Sequence, residues 1–302
     1  MLNRLCFFVL LLIGVLSKAT AQQYIGLNVD NDLYFGIDRY YSSGIFLEYG
    51  KQRELLNDSL YRYNRVSRHW TLGQEINTPA LRLTEDKSRM DYPYNGWLFL
   101  GFEENRFKTP DFGYGWGMQV GTTGANASLA KFFQNTYHIY ILNLEPLSWA
   151  TALPQAFHLN AKALLFWGKA LSPKLKWVGR HQFQSGSFRT SAQSRVGLQL
   201  GSLPGLPFFG NRLEAIQNGL SFFLGSMLEY SLHDYSLSGS LIRQNSPFRL
   251  EAASLRSHYQ VGLIGFYQPW KIQVLLNNSS PYVTTQKYRR HPFLNITLSY
   301  LF

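Results

Sequence analysis

Apolar residues recur at every second position along much of this 302-residue chain, and that period of two limits most severely what it can become. Tyr259, Val261, Leu263, Gly265 and Tyr267 interleave with Gln260, Gly262, Ile264, Phe266 and Gln268. Ile272, Val274 and Leu276 alternate with Lys271, Gln273 and Asn277, and Ile45, Leu47 and Tyr49 with Phe46, Glu48 and Gly50. Successive side chains of a strand point to opposite faces. Strands of about this length, apolar on one face and mixed on the other, suit a wall between lipid and a polar lumen.

The two ends of the chain agree with that reading. Residues 295–302, N-I-T-L-S-Y-L-F, put Ile296, Leu298, Tyr300 and Phe302 on one face of an alternating strand. A closing aromatic in that setting resembles the assembly signal of outer-membrane barrels. A secreted soluble β-sandwich ending in a buried strand is the competing expectation. At the other end Arg4, the apolar run 5–16 and Ala19-Thr20-Ala21 read as a secretory signal peptide over residues 1–21. Cleavage is expected before Gln22, leaving residues 22–302 as one barrel domain. Cys6, the only cysteine, leaves with the signal, so neither a disulfide nor a thiolate metal site is expected.

Beyond the signal no apolar run approaches the roughly 20 residues of a membrane helix. Aromatic residues are as frequent as charged ones, each 16%, as befits a chain that meets lipid interfaces. The formal net charge is +11, and basic loops attract phosphorylated glycolipid head groups. The same charge would serve solubility equally well. No nucleic-acid partner is expected, and nothing demands more than a monomer.

Strands are expected near 24–33, 43–52, 70–77, 97–107 and 114–121, then near 220–232, 235–243, 255–268, 270–277 and 292–302. The stretch 157–202 holds two or three more, which gives ten to twelve, and closed bacterial barrels use even numbers. The fold class is therefore all-β, a transmembrane antiparallel β-barrel. One segment breaks the alternation. Over 127–142 Leu129, Phe132, Phe133 and Ile139 or Tyr140 recur at helical spacing, with Asn126 or Ser128 as the expected N-cap. A strand count starting in the periplasm puts this short helix, after the fifth strand, on the same extracellular rim as the loop after the first.

That first loop is unusually polar. It reads V-D-N-D-L-Y-F-G-I-D-R-Y-Y-S-S-G from Val29 to Gly44, with three acids and Asn31 within nine residues. Oxygen ligands of this kind suit a hard cation such as Ca²⁺ rather than zinc. On the helix, Gln134 and His138 stand four apart and share a face. A neutral imidazole beside a carboxamide has the means to take a proton from water.

Here the chain resembles the lipid A 3-O-deacylases of outer membranes (LpxR-like). The resemblance is carried by N-D-L-Y-F-G-I-D-R-Y-Y-S-S-G, by D-Y-P-Y-N-G-W, and by G-T-T-G-A-N-A-S-L-A-K-F-F-Q-N-T-Y-H. It implies a barrel of 12 strands that removes the 3′-linked acyloxyacyl group of lipid A with Ca²⁺ as cofactor. The substrate would be lipid A within lipopolysaccharide, reached in the outer leaflet. It further implies Asn31 and Asp32 as the family's Asn-Asp pair with Asp32 at the metal, His138 as the base, and Ser42 and Gln134 as orienting groups. Ser42-Ser43 departs from the usual Thr-Asn, Tyr92 stands where Arg is usual, and Ala150 where Asp is usual. Tyr94 and Trp97 are expected as interface aromatics.

Two other readings compete. An outer-membrane phospholipase would use a serine in an H-x-S-N-G context, and no histidine here stands in one. Nor is there a G-x-S-x-G elbow. A non-enzymatic barrel, whether porin, adhesin or inactive relative, would explain the strands but not the helix with its polar pair.

Overall fold

The computed structural model describes residues 23–54, 65–209, 213, 217–240 and 249–302. The expected signal peptide lies outside them. Twelve antiparallel strands form a closed barrel in which each pairs with its sequence neighbours and the first with the last. They are β1 (Gln23–Asn31), β2 (Tyr40–Glu54), β3 (Arg65–Thr78), β4 (Asn95–Thr109), β5 (Phe112–Thr123) and β6 (Ala156–Ser172). The second half comprises β7 (Leu175–Gly186), β8 (Arg189–Gly201), β9 (Gly219–Asp234), β10 (Leu255–Tyr267), β11 (Trp270–Ser279) and β12 (His291–Leu301). Helix α1 (Ala130–Tyr140) follows β5, and a single turn, α2 (Tyr235–Ser238), follows β9.

The alternation sorts side chains in the sense opposite to that of a water-soluble protein. Ile25, Leu27, Leu47, Leu72, Trp116, Leu224, Leu263 and Ile272 stand exposed on the outer wall. Asp30, Glu48, Glu75, Glu103, Lys162, Arg180, Arg195 and Glu229 line the interior. A soluble β-sandwich would bury the first set and solvate the second, so the surrounding medium is lipid. The ladder leaves no edge strand unpaired, which lipid would not tolerate.

At one end three of the five connections, β4–β5, β6–β7 and β10–β11, are two residues each, while β2–β3 and β8–β9 are longer. At the other end the β7–β8 turn is also two residues, but the remaining connections run over 32–39, 79–94, 124–155, 235–254 and 280–290. Short periplasmic turns and long extracellular loops orient bacterial barrels, so the first loop and α1 face outward together.

The lumen is packed rather than open. Near the periplasmic end Tyr24, Phe107, Phe166, Leu206, Phe223 and Phe266 belong to one apolar cluster. Near the outer end Tyr94, Trp97, Phe99, Trp149, Phe188 and Tyr235 form another. Between them lies a polar cavity of about 440 Å³. Two ion pairs stand in it: Arg256 Nη1 lies 2.8 Å from Asp234 Oδ2, and Lys162 Nζ 2.7 Å from Glu103 Oε2.

Several expectations need correction. The strand expected over 235–243 is not one: Tyr235–Ser238 forms α2, and 241–243 lie outside the described residues. Asp234 ends the ladder by accepting from the Ser236 backbone N–H and hydroxyl, and a carboxylate cap starts a helical turn. The first strand stops at Asn31, since Leu33–Phe35 forms a 3₁₀ turn. Stretch 157–202 falls within three strands, β6 to β8. Tyr94 and Trp97 are buried at 0% and 1% exposure, so they are inner packing residues and not interface aromatics. Trp97 stacks on Phe188 with centroids 4.3 Å apart, and Tyr94 on Trp149 at 5.1 Å.

Candidate active site on the extracellular rim

The site begins where β1 leaves the ladder. Asn31 Oδ1 accepts the Leu33 N–H at 2.6 Å, an Asx-type turn that bends the chain into the 3₁₀ turn. Gly36 then takes φ 68°, a left-handed conformation that suits glycine. The Asp32 N–H reaches back to the Ser42 carbonyl at 3.2 Å, and Asp32 Oδ2 accepts the Arg39 N–H at 2.9 Å. These two bonds tie the loop's start to its end. Asp32 is fully buried, and its Oδ1 has no donor. Burial, with the negative charge of Asp38 adding to it, pushes the Asp32 carboxyl up to about 9. Burial outweighs the Arg39 N–H and charge, which pull the other way.

Ser42 owes its position to a bulge. The β2–β3 register shifts between Tyr41 and Ser43, leaving Ser42 out of the ladder. Its hydroxyl approaches the Ile76 carbonyl at 3.3 Å and Thr78 Oγ1 at 3.1 Å. Gln134 Nε2 donates to the same Thr78 oxygen at 2.9 Å, while Gln134 Oε1 stays buried without a partner. The first loop and the helix therefore meet through the last residue of β3.

Helix α1 is amphipathic with its polar stripe inward. Ala130, Gln134 and His138, each four residues apart, are its buried positions. Phe132, Phe133, Tyr137 and Tyr140 are exposed on its outer side. Its N-cap is Leu129 with φ 58°, and not Asn126 or Ser128. Ser128 is committed elsewhere: its hydroxyl donates to the Gly124 carbonyl at 2.6 Å and receives the Ala130 N–H at 3.3 Å. Gln74 anchors the same turn by donating to the Ser128 carbonyl at 2.5 Å. Gly96 makes this docking possible, because a Cβ there would collide with the Ser128 hydroxyl and the Ala130 methyl. At the helix's far side Asn135 exchanges two hydrogen bonds with the backbone of Leu147, at 3.1 and 2.8 Å.

His138 Nε2 lies 3.0 Å from Asp38 Oδ2, which also receives Arg82 Nη1 at 3.2 Å. His138 Nδ1 is buried with no partner. Asp38 was not singled out from the sequence, although it stands in the same acidic loop. Thr78 and His291 were also missed. His291 Nε2 lies 2.9 Å from the Tyr41 carbonyl and 3.9 Å from Asp32 Oδ2, and only the barrel's closure brings it there.

Asp32, Ser42, Gln134 and His138 are thus buried together at one rim, while Asn31 is spent on shaping the turn. None of the five lines the lumen cavity. Among the described residues no three His, Cys, Asp or Glu side chains converge as a metal cage. What suits a hard cation is narrower: Asp32 Oδ1 and Gln134 Oε1, two buried oxygens without donors.

An apolar-walled barrel with a buried polar constellation at its outward rim defines a class, an outer-membrane β-barrel with a candidate site at its extracellular edge. The family model for outer membrane protein LpxR matches residues 5–302, and the chain belongs to the LpxR family. It resides in the bacterial outer membrane. Among solved structures, LpxR from Salmonella typhimurium aligns with a TM-score of 0.73 at 18% identity, covering 92% of this chain and 100% of that one. The β domain of the Bordetella autotransporter BrkA aligns at 0.52 and 8% identity, covering 94% and 100%. No curated protein sequence matches.

Proposed function

We propose that this protein is a lipid A 3′-O-deacylase that hydrolyses the 3′-linked acyloxyacyl ester in the outer leaflet. The observation that carries the reading is His138, held through Nε2 by Asp38 with Nδ1 buried and unpartnered, on the same buried face of α1 as Gln134. In this mechanism Nδ1 takes a proton from water as the water oxygen attacks the ester carbonyl. The carbon–oxygen bond to the sugar then breaks, and the leaving sugar oxygen receives that proton from His138. The products are the free acyloxyacyl acid and a sugar hydroxyl.

The orphaned Asp32 Oδ1 and Gln134 Oε1 are the side-chain oxygens that would hold Ca²⁺, which when bound polarises an ester carbonyl and offsets oxyanion charge. Asn31 and Gly36 set the loop that presents Asp32. Ser42 and Thr78 hold Gln134 in register with it.

Two features favour this reading over its rivals. Among the described residues Ser42 Oγ hydrogen-bonds the Ile76 carbonyl and the Thr78 hydroxyl and no imidazole, which counts against activation as a nucleophile. The apolar packing near both ends of the lumen counts against a pore. The test is mass spectrometry of lipid A from cells expressing the intact protein or His138→Ala. The intact protein should remove one acyloxyacyl group and His138→Ala should not. Unchanged lipid A with folded protein in the membrane would overturn the proposal. Release of fatty acid from glycerophospholipid instead would favour the phospholipase reading.

A further inference from the structure

Four cationic side chains beside the rim site take no part in the chemistry proposed above. Arg39 follows Asp38 directly, and its guanidinium carbon sits 3.6 Å from the centre of the Tyr288 ring and 5.9 Å from that of Tyr40. Lys287, Arg289 and Arg290 flank Tyr288 in the β11–β12 loop, all exposed. Lys287 Nζ lies 5.6 Å from the same Tyr288 ring, and the Arg290 guanidinium lies 4.7 Å over Tyr259 on the outer wall. Among the described residues no carboxylate forms an ion pair with any of the four, and Arg39 Nε is buried without an acceptor.

The backbone that carries them is fixed. The Tyr288 N–H donates to the Tyr40 hydroxyl at 3.2 Å, and the Lys287 N–H to Asp91 Oδ2 at 3.3 Å. Gln286 Nε2 donates to the Tyr288 carbonyl at 2.9 Å. Tyr40 in turn donates to Asp91 at 2.7 Å, so this loop, the start of β2 and loop 79–94 are bolted together. A guanidinium with one face on an aromatic ring keeps its N–H edge free, and that edge matches the paired oxygens of a phosphate.

We propose that Arg39, Lys287, Arg289 and Arg290 form a binding site for a phosphate group on the head of an outer-leaflet glycolipid. The proposal rests on the deacylase reading for the identity of that lipid. The site stands one residue from Asp38, at the level where head groups end and acyl chains begin. It would fix the sugar and set which ester arrives at His138. Phosphorylated lipid would then be preferred over its dephosphorylated form.

The test uses the full chain carrying His138→Ala, so that bound lipid is not consumed, solubilised in detergent and immobilised. Retention of bisphosphorylated lipid A is compared with that of phosphatase-treated lipid A. Arg39→Gln, and separately Lys287→Gln with Arg289→Gln and Arg290→Gln, should weaken the phosphorylated lipid on the order of tenfold or more. The dephosphorylated lipid should stay within about twofold, since it offers no charge-assisted bond to lose. The triple variant changes only exposed side chains, which keeps the test independent of folding. Equal losses for both lipids, or no loss for either, would overturn the site. Inorganic phosphate is the second probe: if it alone displaces the lipid at equal concentration, the site takes free phosphate and the head-group assignment falls. Retention that discriminates by phosphate, in a protein whose wild type leaves lipid A intact, would remove the deacylase reading and keep the site.

Discussion

His138 and Asp38 form a buried pair, with Nε2 and Oδ2 3.0 Å apart, although one lies on α1 and the other in the first loop. The carboxylate fixes which ring nitrogen is turned away, and it favours the imidazolium formed when the other takes a proton. Asp38→Asn should therefore lower kcat by about 10²-fold or more, the scale of general-base assistance, with KM little changed. Turnover on lipid A micelles measures it. An Asp38→Asn enzyme with wild-type kcat would show that His138 is oriented by something else.

Asp32 yields a pH-linked expectation. Its folded-state pKa of about 9 lies above the ordinary value of 3.8. Between these values the folded state holds a proton that the unfolded state has released, so stability falls as pH rises through that window. A cation at Oδ1 reverses the balance by stabilising the ionised form. Ca²⁺ should thus raise the melting temperature more at pH 8.5 than at pH 5.5, and its binding at neutral pH should release about one proton. Calorimetry in buffers of different ionisation enthalpy counts that proton. Asp32→Asn should abolish both the proton release and the pH dependence, whereas their survival in that variant would move the cation elsewhere.

The strands were legible because one chemistry repeats along each of them: Ile25, Leu27, Ile45 and Leu47 meet lipid while Asp30 and Glu48 meet the lumen. Counting strands from the periplasm was enough to bring the first loop and α1 to one rim. What failed lies at boundaries. Between β7 and β8 the turn is only Ser187-Phe188, and Gly186 beside it is still paired in the ladder, so the pattern marks the turn weakly. After Asp234 the alternation runs on in the sequence while a carboxylate cap turns the chain. Asp38, Thr78 and His291 were hidden for another reason. Each takes its meaning from a partner on a distant element: Asp38 from His138, Thr78 from Gln134, and His291 from Asp32. Period and spacing carry no such information.

Gly96 is where the helix touches the wall. A methyl group there would push into the Ser128 hydroxyl and the Ala130 methyl, short side chains that yield only if the turn carrying them moves. Gly96→Ala should cost about 1–3 kcal/mol, the scale of overpacking, and should tilt α1 so that Gln134 and His138 lose register with the loop. Activity should fall much further than stability. Heat-modifiability on gels would report the barrel, and turnover would report the rim. Loss of the barrel itself would mean that this contact supports the whole fold.

Ser42 and Thr78 separate an orienting role from a nucleophilic one. If Ser42 attacked the ester, Ser42→Ala would abolish turnover to the level of His138→Ala. As an orienting hydroxyl it should cost about tenfold, the worth of one hydrogen bond near a charged group. Ser42→Thr should retain activity, because it keeps the hydroxyl oxygen. Thr78→Val keeps the shape but strands the buried Gln134 Nε2, which loses its 2.9 Å partner, while the Ser42 hydroxyl keeps only the Ile76 carbonyl. Unsatisfied groups of this kind cost about 1–3 kcal/mol each, so Thr78→Val should lower both the melting temperature and kcat. Measuring the four variants side by side decides the matter. A Ser42→Ala enzyme as dead as His138→Ala, with Thr78→Val unaffected, would make Ser42 the nucleophile and His138 its partner.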